Sequence, residues 1–332
     1  MNRYTRWLIR LIGPALLAFF LWRSDLGAIG RAIASLNPWP LALSLALFVV
    51  FIGIKTWRWQ LIMREQGLQP PPYGYLFALY NIGLFAGGVT PGQSGDFVKG
   101  WYLRQRGLPL GPSLFSIVLD RLFDFLVMAP LAVLGLVVFV DVFPPETRDA
   151  VRAATFGFAA LIVVLTPALM ARGPREWLFA RLTPLLPRRA RPAAERIRSQ
   201  LAGLSLRAGP LALLLFASAL SATSTMVRIW LLYASLSLYD VSLLDVVGST
   251  ALIAILQTLP ISFAGIGVRD VVLVALLARY GHAPELALSL SALFLLLNLE
   301  HILVGFLVSL RYPLDREAAA AQPGGEGDMV PQ

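Results

Sequence analysis

The sequence predicts an all-α polytopic membrane protein with about six transmembrane helices and two re-entrant broken segments. Hydrophobic residues make up 57% of the 332-residue chain and charged residues only 14%, and the mean hydropathy is +0.71. A soluble domain typically carries about 25% charged residues, so close to half of that complement is missing. The apolar residues also fall in runs near the length of about 20 residues that a membrane-spanning helix needs.

The charge pattern excludes several other classes of protein. So low a charged fraction is unlike an ordinary soluble enzyme, a nucleic-acid-binding protein or a disordered chain. The formal net charge is +9, but nine arginines are concentrated between Arg172 and Arg207, beside only two acids. An arginine-rich loop between apolar segments is typical of a cytoplasmic anchor on anionic lipid headgroups. Cysteine is absent, which excludes disulfides and cysteine-ligated metal.

Six apolar runs predict the transmembrane helices. They are Leu8–Trp22, Leu41–Trp57, Leu114–Val140, Ala154–Met170, Leu211–Leu236 and Leu286–Leu310. The first run has a basic start, and Ala32-Ile-Ala34 resembles a cleavage site, so a signal peptide is the alternative there. Charged residues between the apolar core and that site favour an uncleaved helix.

Two further apolar stretches, Tyr75–Pro91 and Asp245–Pro260, are shorter, and each ends in a turn rich in glycine or proline. Lys55, Arg58 and Arg64 mark the end of the second span as cytoplasmic under the positive-inside rule. Basic residues also follow the first short stretch, whereas both flanks of the second lack a basic excess. Each stretch is therefore predicted to enter and leave on one side, from opposite faces of the membrane, with both chain termini in the cytoplasm. The alternative is a pair of surface loops.

The two short stretches have a similar layout, which favours an inverted repeat. The regions Val89–Lys99 and Gln257–Asp270 each contain a proline, a serine and glycines, and then an acid and a cation close together. Each is followed by a short segment that ends at Gly107 or Gly281, and then by a long apolar span. Paired broken segments in corresponding halves indicate the substrate site of a transporter.

A polar cluster interrupts the third span. Ser116, Asp120 and Asp124 are four residues apart and share one helical face. Ionisable groups inside a membrane cost roughly 2.5–3.5 kcal/mol each on insertion scales, so they need a partner or water. Arg121 lies three residues before Asp124, within reach of it. The remaining acid would face water, a cation or another helix, and the alternative is an ion-pair network that only fixes helix packing.

A second candidate site follows the first short stretch. The turn from Gly92 through Ser94 to Gly95 offers successive backbone N–H groups that could hold an anion. Asp96 and Lys99 come next in the sequence, and the lysine adds a positive charge. A lipid phosphate fits this arrangement. The alternative is a lysine at the membrane surface with the aspartate as a helix N-cap.

Other candidate binding residues are polar or glycine positions in or beside the later spans. They are Arg228, Gly265, Gly267, Arg269, Asp270 and Glu300. Arg269 and Asp270 mirror the acid and cation of the first turn. Arg228 is expected to reach Ser224 or a carboxylate such as Glu300. Glu300 and His301 would form a proton relay or, more simply, a hydrogen-bonded packing pair.

Enzyme signatures are absent from the sequence. It contains no HExxH, P-loop or G-x-S-x-G pattern, and Gly265-Ile-Gly267 lacks the third glycine of a dinucleotide fingerprint. Two histidines without cysteine predict no metal site, and no cofactor is expected. A membrane glycosyltransferase or acyltransferase could still use Asp120 and Asp124 if they lay near the headgroups.

The segments Thr90–Asp96 with Lys99, Ser116–Arg121 and Pro260–Asp270 resemble, in the same order, the lysylphosphatidylglycerol synthase transmembrane-region family, also called flippase-like. The resemblance covers residues from about 40 to 312. It implies an inner-membrane protein similar to the flippase half of bifunctional aminoacyl-phosphatidylglycerol synthases, in which a separate soluble domain makes the lipid. Asp270 stands where the family pattern has Glu, which shortens the reach of the carboxylate.

The expected organisation follows from this resemblance. Only 22 residues come after Leu310, too few for a catalytic domain. The expectation is a stand-alone flippase-like domain over residues 1–312, with a basic cytoplasmic loop at 172–207, and a disordered tail over 313–332.

The functional hypothesis is a lipid translocase that moves a phospholipid or a polyprenyl-phosphate-linked lipid between leaflets of an inner membrane. In this hypothesis the Gly92–Gly95 turn and Lys99 hold a phosphate, while Asp120 and Asp124 bind a cationic headgroup or exchange protons. The alternatives are a lipid-modifying or glycosyl-transferring membrane enzyme, and a non-transporting partner of a separate lipid synthase. The expected partners are membrane lipids, without nucleic acid.

Overall fold

The structure, a computed structural model, describes residues 36–142, 145–185, 208–258 and 268–312, with a few isolated positions besides. Within these ranges every regular element is helical and no strand occurs. The α-helices are α1 (Pro38–Ala46), α2 (Phe48–Glu65), α3 (Tyr73–Gly88), α4 (Val98–Gln105), α5 (Leu110–Phe139), α6 (Pro145–Met170), α7 (Arg172–Leu182), α8 (Ala208–Ser235), α9 (Leu243–Thr258), α10 (Val268–Arg279) and α11 (Pro284–Arg311). Short 3₁₀ segments lie at Pro91–Phe97, Val140–Val142 and Thr183–Leu185.

Five stretches of helix in the described part of the chain are long and apolar enough to cross a membrane. They are Pro38–Glu65, Leu110–Phe139, Arg148–Thr166, Gly209–Ser235 and Pro284–Arg311. They correspond to the second through sixth predicted spans, and the predicted all-α polytopic membrane fold is confirmed. The first predicted span, Leu8–Trp22, and the tail 313–332 lie outside the described residues.

Large apolar side chains cover the outer faces of these long helices. Val137 and Val164 are each 68% exposed, and Phe216 and Leu307 are exposed to a similar degree. A soluble monomer rarely presents extensive apolar patches. Lipid tails are the natural surroundings of such faces, and the polar side chains are turned inwards instead.

Helices α1 and α2 together form one span, which is continuous through Leu47. The side chain of Asn37 caps α1 by accepting a hydrogen bond from the Trp39 N–H at 3.2 Å, and Pro38 stands at the start of the helix, where a missing N–H costs nothing. The span continues to Glu65, well past the predicted end at Trp57.

The two short apolar stretches form α3 and α9, each of 16 residues. At a rise of 1.5 Å per residue, each helix is about 24 Å long, which is shorter than the roughly 30 Å of a bilayer's hydrocarbon core. After α3 the chain forms the 3₁₀ segment Pro91–Phe97 and then α4. After α9 it passes through residues outside the described set and resumes with α10.

Helices α4 and α10 end in the same way. Gly107 and Gly281 follow them with positive φ angles of 84° and 76°, a conformation that glycine adopts without strain. In each case the next residue closes the turn, and the Leu108 N–H donates to the Leu103 carbonyl at 3.1 Å. The described residues therefore contain two units with the same order of elements: a short apolar helix, a second short helix, a left-handed glycine and a long helix.

These two units pack crosswise. Helix α9 makes its most extensive contact with α5, and α3 with α11. Glycines permit both contacts, because a Cβ added at Gly135 would lie 2.1 Å from the carbonyl oxygen of Gly248 and one added at Gly305 would lie 2.2 Å from that of Asn81. The short helix of each unit is thus held against the long helix of the other.

Candidate functional site

Seven charged side chains meet in the interior between α2, the segment Pro91–Phe97, α4 and α5. This group, called the seven-charge cluster below, consists of Lys55, Arg58, Asp96, Lys99, Asp120, Arg121 and Asp124. Charges inside a membrane protein are tolerated when they face partners or water. The contacts within the cluster show which partners each group has.

Arg58 lies at the centre of the cluster and is fully buried. Its Nη2 is 2.8 Å from Asp120 Oδ1 and its Nη1 is 2.7 Å from Asp124 Oδ1. Nη1 also donates to Ser218 Oγ at 3.0 Å. The two carboxylates share one helical face, as predicted, but the cation that bridges them comes from α2.

Both carboxylates have a second donor as well. Lys55 Nζ is 2.6 Å from Asp124 Oδ2, and the Tyr80 hydroxyl donates to Asp120 Oδ2 at 2.7 Å. Ser116, one turn before Asp120, accepts a hydrogen bond from the indole N–H of Trp59 at 3.0 Å. The face of α5 that carries this cluster is therefore held by α2 and α3.

The prediction that Arg121 pairs with Asp124 is wrong, because the closest contacts of Arg121 are with other residues. Arg121 Nε instead donates to Asp96 Oδ2 at 3.1 Å, and Nη1 donates to Gln93 Oε1 at 2.7 Å. Arg121 is about 100° round the helix from Asp120, so it points towards the 3₁₀ segment while Asp120 points towards α2.

Lys99 is buried and forms an ion pair with Asp96, with Nζ 2.8 Å from Oδ1. Its ammonium also lies 4.3 Å from the centre of the Tyr80 ring and 4.8 Å from that of Trp59, an arrangement that favours a cation. The alternative of a lysine at the membrane surface is therefore wrong. In the preceding turn, the Gly95 N–H donates to Thr90 Oγ1 at 2.7 Å.

Gly92 and Ser94 lie in the same 3₁₀ segment. Their role in holding a phosphate stays a prediction.

Four cations and three carboxylates make up the cluster, so among the described residues it carries one positive charge in excess. Its most exposed members are Asp124 and Arg121, whose side chains are 28% and 22% exposed. The cluster therefore has a closed interior at Arg58 and Lys99, and an accessible edge on α5.

A second polar group surrounds Arg228 on α8. The guanidinium donates to the Ser44 carbonyl at 2.9 Å, lies 3.0 Å from His301 Nε2 and pairs with the Glu300 carboxylate. The expected contact between Arg228 and Glu300 is confirmed. Glu300 and His301 are joined through Arg228, and the His301 ring stacks on Phe48 with centroids 5.1 Å apart.

A cavity of about 160 Å³ adjoins this second group. Its lining combines apolar side chains of α2, α8, α9 and α11 with five polar ones. The polar residues are Thr225, Arg228, Thr250, Asn298 and His301. No sequence pattern marked this cavity, because its walls come from four helices that are far apart in the chain.

The last predicted group lies at the start of α10. Arg269 Nε donates to Ser291 Oγ at 2.7 Å, and the Ser291 hydroxyl donates to the Asp270 carboxylate. Arg269 Nε lies 3.8 Å from Asp270 Oδ1 within α10, and the hydrogen bonds of both residues with Ser291 join α10 to α11. Gly265 and Gly267 lie outside the described residues.

Sequence reasoning missed Lys55 and Arg58 as site residues. The positive-inside rule assigned them to a cytoplasmic flank, but both lie within α2 and are buried. The available signal was their spacing of three residues, which puts both on one face of the helix.

Among the residues that the structure describes, no group of three or more histidine or acidic side chains is placed to hold a metal ion.

Comparison with known proteins gives two curated relatives. A UPF0104 membrane protein of Methanothermobacter thermautotrophicus is 30% identical over 124 residues, which are 37% of this chain and 34% of the relative. The glycosyltransferase AglD of Haloferax volcanii is 26% identical over 192 residues, which are 51% of this chain and 30% of the relative. The chain thus spans about a third of the length of the curated relatives it matches. No solved structure matches it.

One family matches almost the whole membrane part. The match to the lysylphosphatidylglycerol synthase TM region extends over residues 9–305 and includes the seven-charge cluster, the Arg228 group and the cavity. The chain therefore belongs to the lysylphosphatidylglycerol synthase TM region family of membrane proteins.

Proposed function

We propose that this protein is a lipid translocase that moves an anionic lipid, either a phospholipid or a polyprenyl-phosphate-linked lipid, between the leaflets of an inner membrane. The observation that carries the proposal is the excess positive charge of the seven-charge cluster inside a membrane protein. Membership of the lysylphosphatidylglycerol synthase TM region family supports a lipid-related role.

The charge balance favours an anionic ligand. An uncompensated charge in a low-dielectric interior is costly, and one phosphodiester anion would make the cluster neutral. A cationic headgroup has less to bind, because Asp96, Asp120 and Asp124 each already contact two donors. This proposal reverses the role that the sequence hypothesis gave to Asp120 and Asp124, which now hold the cations in position.

The phosphate would enter at the accessible edge of the cluster, near Arg121 and Lys55. The Arg121 side chain is 22% exposed and that of Lys55 is 11% exposed, whereas those of Arg58 and Lys99 are fully buried. We therefore assign Lys99 to holding Asp96, and Arg121 with Lys55 to contacting the lipid.

The position of the cluster along its helices is compatible with transport. Asp120 is ten residues from the start of α5 at Leu110, and Lys55 is ten residues from the end of α2 at Glu65. Ten residues of helix span about 15 Å, a third of the length of the 30-residue α5. The charges therefore lie within the spans, where a headgroup that crosses the membrane has to pass them.

The crosswise packing of the two units supports an inverted repeat with α3 and α9 as re-entrant elements. Transporters with inverted repeats expose a central site alternately to each side by moving one repeat against the other. In this proposal Arg269 and Asp270, at the start of α10, take the position in the second unit that Asp96 and Lys99 hold in the first.

The proposed orientation places both termini in the cytoplasm. It puts the basic segment that begins with α7 on the anionic headgroups of the inner leaflet. Trp177 is 61% exposed, and the guanidinium of Arg181 lies 5.7 Å from the centre of the Trp177 ring. Tryptophan is enriched at membrane interfaces.

The second candidate is a lipid-modifying or glycosyl-transferring role, alone or as the membrane partner of a separate synthase. The observation in its favour is that one relative is named a glycosyltransferase. Incubation of the purified protein with a labelled sugar donor and lipid acceptor separates the two candidates, because only the enzyme produces a labelled lipid.

The experiment that tests transport uses the full chain in proteoliposomes with a fluorescent phosphatidylglycerol or phosphatidylcholine. Dithionite bleaches the outer-leaflet label, so any loss beyond half reports translocation. We expect wild-type protein to accelerate phosphatidylglycerol movement more than phosphatidylcholine movement. Lys55→Met makes the cluster neutral and leaves Asp124 paired with Arg58, so we expect a folded protein with at least tenfold slower phosphatidylglycerol movement.

Asp120→Asn should also abolish movement, because it releases Arg58 and Tyr80 from their shared partner. Arg64→Met is the matched control, since Arg64 is exposed on the same helix and outside the cluster. The translocase assignment fails if wild-type vesicles bleach no faster than protein-free vesicles with either lipid. The anion assignment fails if Lys55→Met moves phosphatidylglycerol at the wild-type rate.

A further inference from the structure

We infer that Glu300, which pairs with Arg228 inside the membrane part of the protein, carries one proton with each lipid anion, so that lipid movement is coupled to a pH gradient. The inference rests on the proposed function, because it names the ion that drives the lipid movement. The residues concerned are those of the Arg228 group, which the proposed transport of the phosphate does not use.

Arg228 occupies the position in the second half of the chain that Arg58 occupies in the first. Helix α2 ends seven residues after Arg58, and α8 ends seven residues after Arg228. Gly67 and Ser237, two positions beyond those ends, both have positive φ angles, of 73° and 59°. Helices α3 and α9 then begin fifteen residues after the two arginines. Each unit is therefore preceded by a long helix with a buried arginine at the same position.

The two arginines differ in the number of carboxylates that they contact. The first contacts Asp120 and Asp124, which lie ten and fourteen residues from the start of α5. The same positions of α11 hold Phe294 and Asn298, so the second unit lacks both acids. Its arginine pairs instead with Glu300. This pair is neutral as long as the carboxylate is ionised, and it becomes positive when the carboxylate takes up a proton.

Arg228 keeps several partners when Glu300 is protonated. Its guanidinium donates to the Ser44 carbonyl at 2.9 Å and lies 5.5 Å from the ring centres of Phe48 and Phe51. Aromatic faces at such distances favour a cation. One proton therefore converts an ion pair into a neutral acid beside a held guanidinium, and its release restores the ion pair.

His301 holds Arg228 in place and is not the proton carrier. Its Nε2 lies 3.0 Å from Arg228 Nη1 and accepts that N–H in the neutral tautomer that leaves Nε2 free. A proton on Nε2 would put two cations in contact, and Lys55 of α2 is a further positive charge that acts on this ring. The carboxylate of Glu300 is therefore the group that can gain a proton.

The other helices packed on α11 bring no further charge to this group. Helix α3, which makes the most extensive contact with α11, contains no acid, lysine, arginine or histidine. The charged residues at the start of α10, Arg269 and Asp270, bind Ser291, nine residues before Glu300. Protonation of Glu300 is therefore governed by Arg228.

The Arg228 group lies where the two halves of the protein meet. Ser44 and Phe48 belong to the span before the first unit, whereas Glu300 is on the long helix of the second. Movement of one unit against the other, as in transporters with inverted repeats, would therefore change the surroundings of the carboxylate. Ionisable groups at such places in membrane proteins mark proton and ion pathways.

Water and the phosphate site are both close to this group. Arg228 and His301 line the cavity, and the Glu300 side chain is 14% exposed. Phe51 contacts the Arg228 guanidinium on one side, and the Lys55 ammonium lies 5.2 Å from its ring centre on the other. The proton site and the cation assigned to the lipid phosphate thus share one aromatic neighbour.

The test uses the full chain in proteoliposomes with fluorescent phosphatidylglycerol and an imposed pH gradient. At steady state, dithionite bleaching gives the ratio of labelled lipid in the two leaflets. With one proton for each lipid, a gradient of one pH unit supports up to about a tenfold excess, in the leaflet that faces the alkaline side. One anion and one proton together carry no charge, so a potassium diffusion potential should produce no excess.

Glu300→Gln keeps the shape of the side chain and cannot carry the proton. We expect this variant to show no gradient-driven excess. Glu285→Gln is the matched control, because Glu285 is exposed on the same helix and outside the Arg228 group, and it should behave like wild type. Infrared difference spectra between acidic and neutral buffer provide a second readout, in which wild type and Glu285→Gln should show a carboxylic acid band that Glu300→Gln lacks.

Equal leaflet ratios of wild type with and without the pH gradient overturn the proton coupling, and the proposed function survives because the lipid still equilibrates. A gradient-driven excess that persists in Glu300→Gln overturns the assignment to Glu300. If Glu300→Gln moves no lipid, the infrared band decides: its absence from the variant supports the assignment, and its presence overturns it. Wild-type vesicles that move no lipid under any condition overturn the proposed function itself.

Discussion

Replacing Arg58 by methionine is expected to be one of the most damaging single substitutions in the seven-charge cluster. Arg58 is fully buried and contacts both Asp120 and Asp124. Its removal would leave Asp120 with Tyr80 and Asp124 with Lys55. Breaking a buried ion pair by removing one partner lowers the free energy of unfolding by about 3–5 kcal/mol.

This loss converts into a measurable shift of the unfolding temperature. A change of 1 kcal/mol moves the midpoint by about 2 °C in a chain of this size, so Arg58→Met should unfold about 6–10 °C below wild type. Tryptophan fluorescence during heating in detergent is a suitable assay. The chain has eight tryptophans, and the Trp59 ring contacts the cluster, with its centre 4.8 Å from the Lys99 ammonium.

Two comparisons make the Arg58 prediction specific. Arg64→Met on the exposed side of α2 should change the midpoint by less than about 1 °C, because exposed charges contribute little. The double variant Arg58→Met with Asp120→Asn should lose less stability than the sum of the two single losses, since contacting residues couple by about 0.5–3 kcal/mol. If Arg58→Met unfolds within 2 °C of wild type, the cluster does not hold α2 to α5 and the reasoning is refuted.

Two further predictions concern packing and the second polar group. Gly135→Ala should lower the free energy of unfolding by about 1–3 kcal/mol, because its Cβ would lie 2.1 Å from the Gly248 carbonyl oxygen. Gly157→Ala on α6 should leave the free energy of unfolding unchanged, because nothing lies within 4 Å of the new Cβ. Equal midpoints of the two variants in thermal unfolding would contradict the close contact. Arg228→Met should destabilise by a similar 3–5 kcal/mol through the unpaired Glu300 carboxylate, and adding Glu300→Gln should restore at least half of the loss. A double variant no more stable than the single one would show that the two side chains are not coupled.

The transmembrane architecture was largely predictable because its signals are local. A run of about 20 apolar residues defines a span by itself, and five of the six predicted spans lie in the described part of the chain and are confirmed. The shared face of Asp120 and Asp124 follows from the helical repeat alone. The glycines that follow α4 and α10 were recognisable as helix ends, because glycine adopts a positive φ without strain.

The partners of the charged residues were predictable only where few choices existed. Arg228 and Glu300 are polar groups inside the fifth and last predicted spans, and their expected contact is confirmed. Arg121 has Asp120 and Asp124 near it on its own helix, but its ion pair is with Asp96, which is 25 residues away along the chain. The rotation of α5 against the segment Pro91–Phe97 brings Arg121 next to Asp96.

What the sequence by itself determined is therefore the membrane class, the spans, and the ionisable groups that lie inside the third, fifth and last predicted spans. Only the tertiary structure decided that Arg58, 62 residues away from Asp120 along the chain, completes the pair, that one positive charge remains in excess, and that a cavity lies beside Arg228. The physical reason is that composition and helical period act within one segment. Ion pairing and cavities depend instead on the depth and rotation at which separate helices pack.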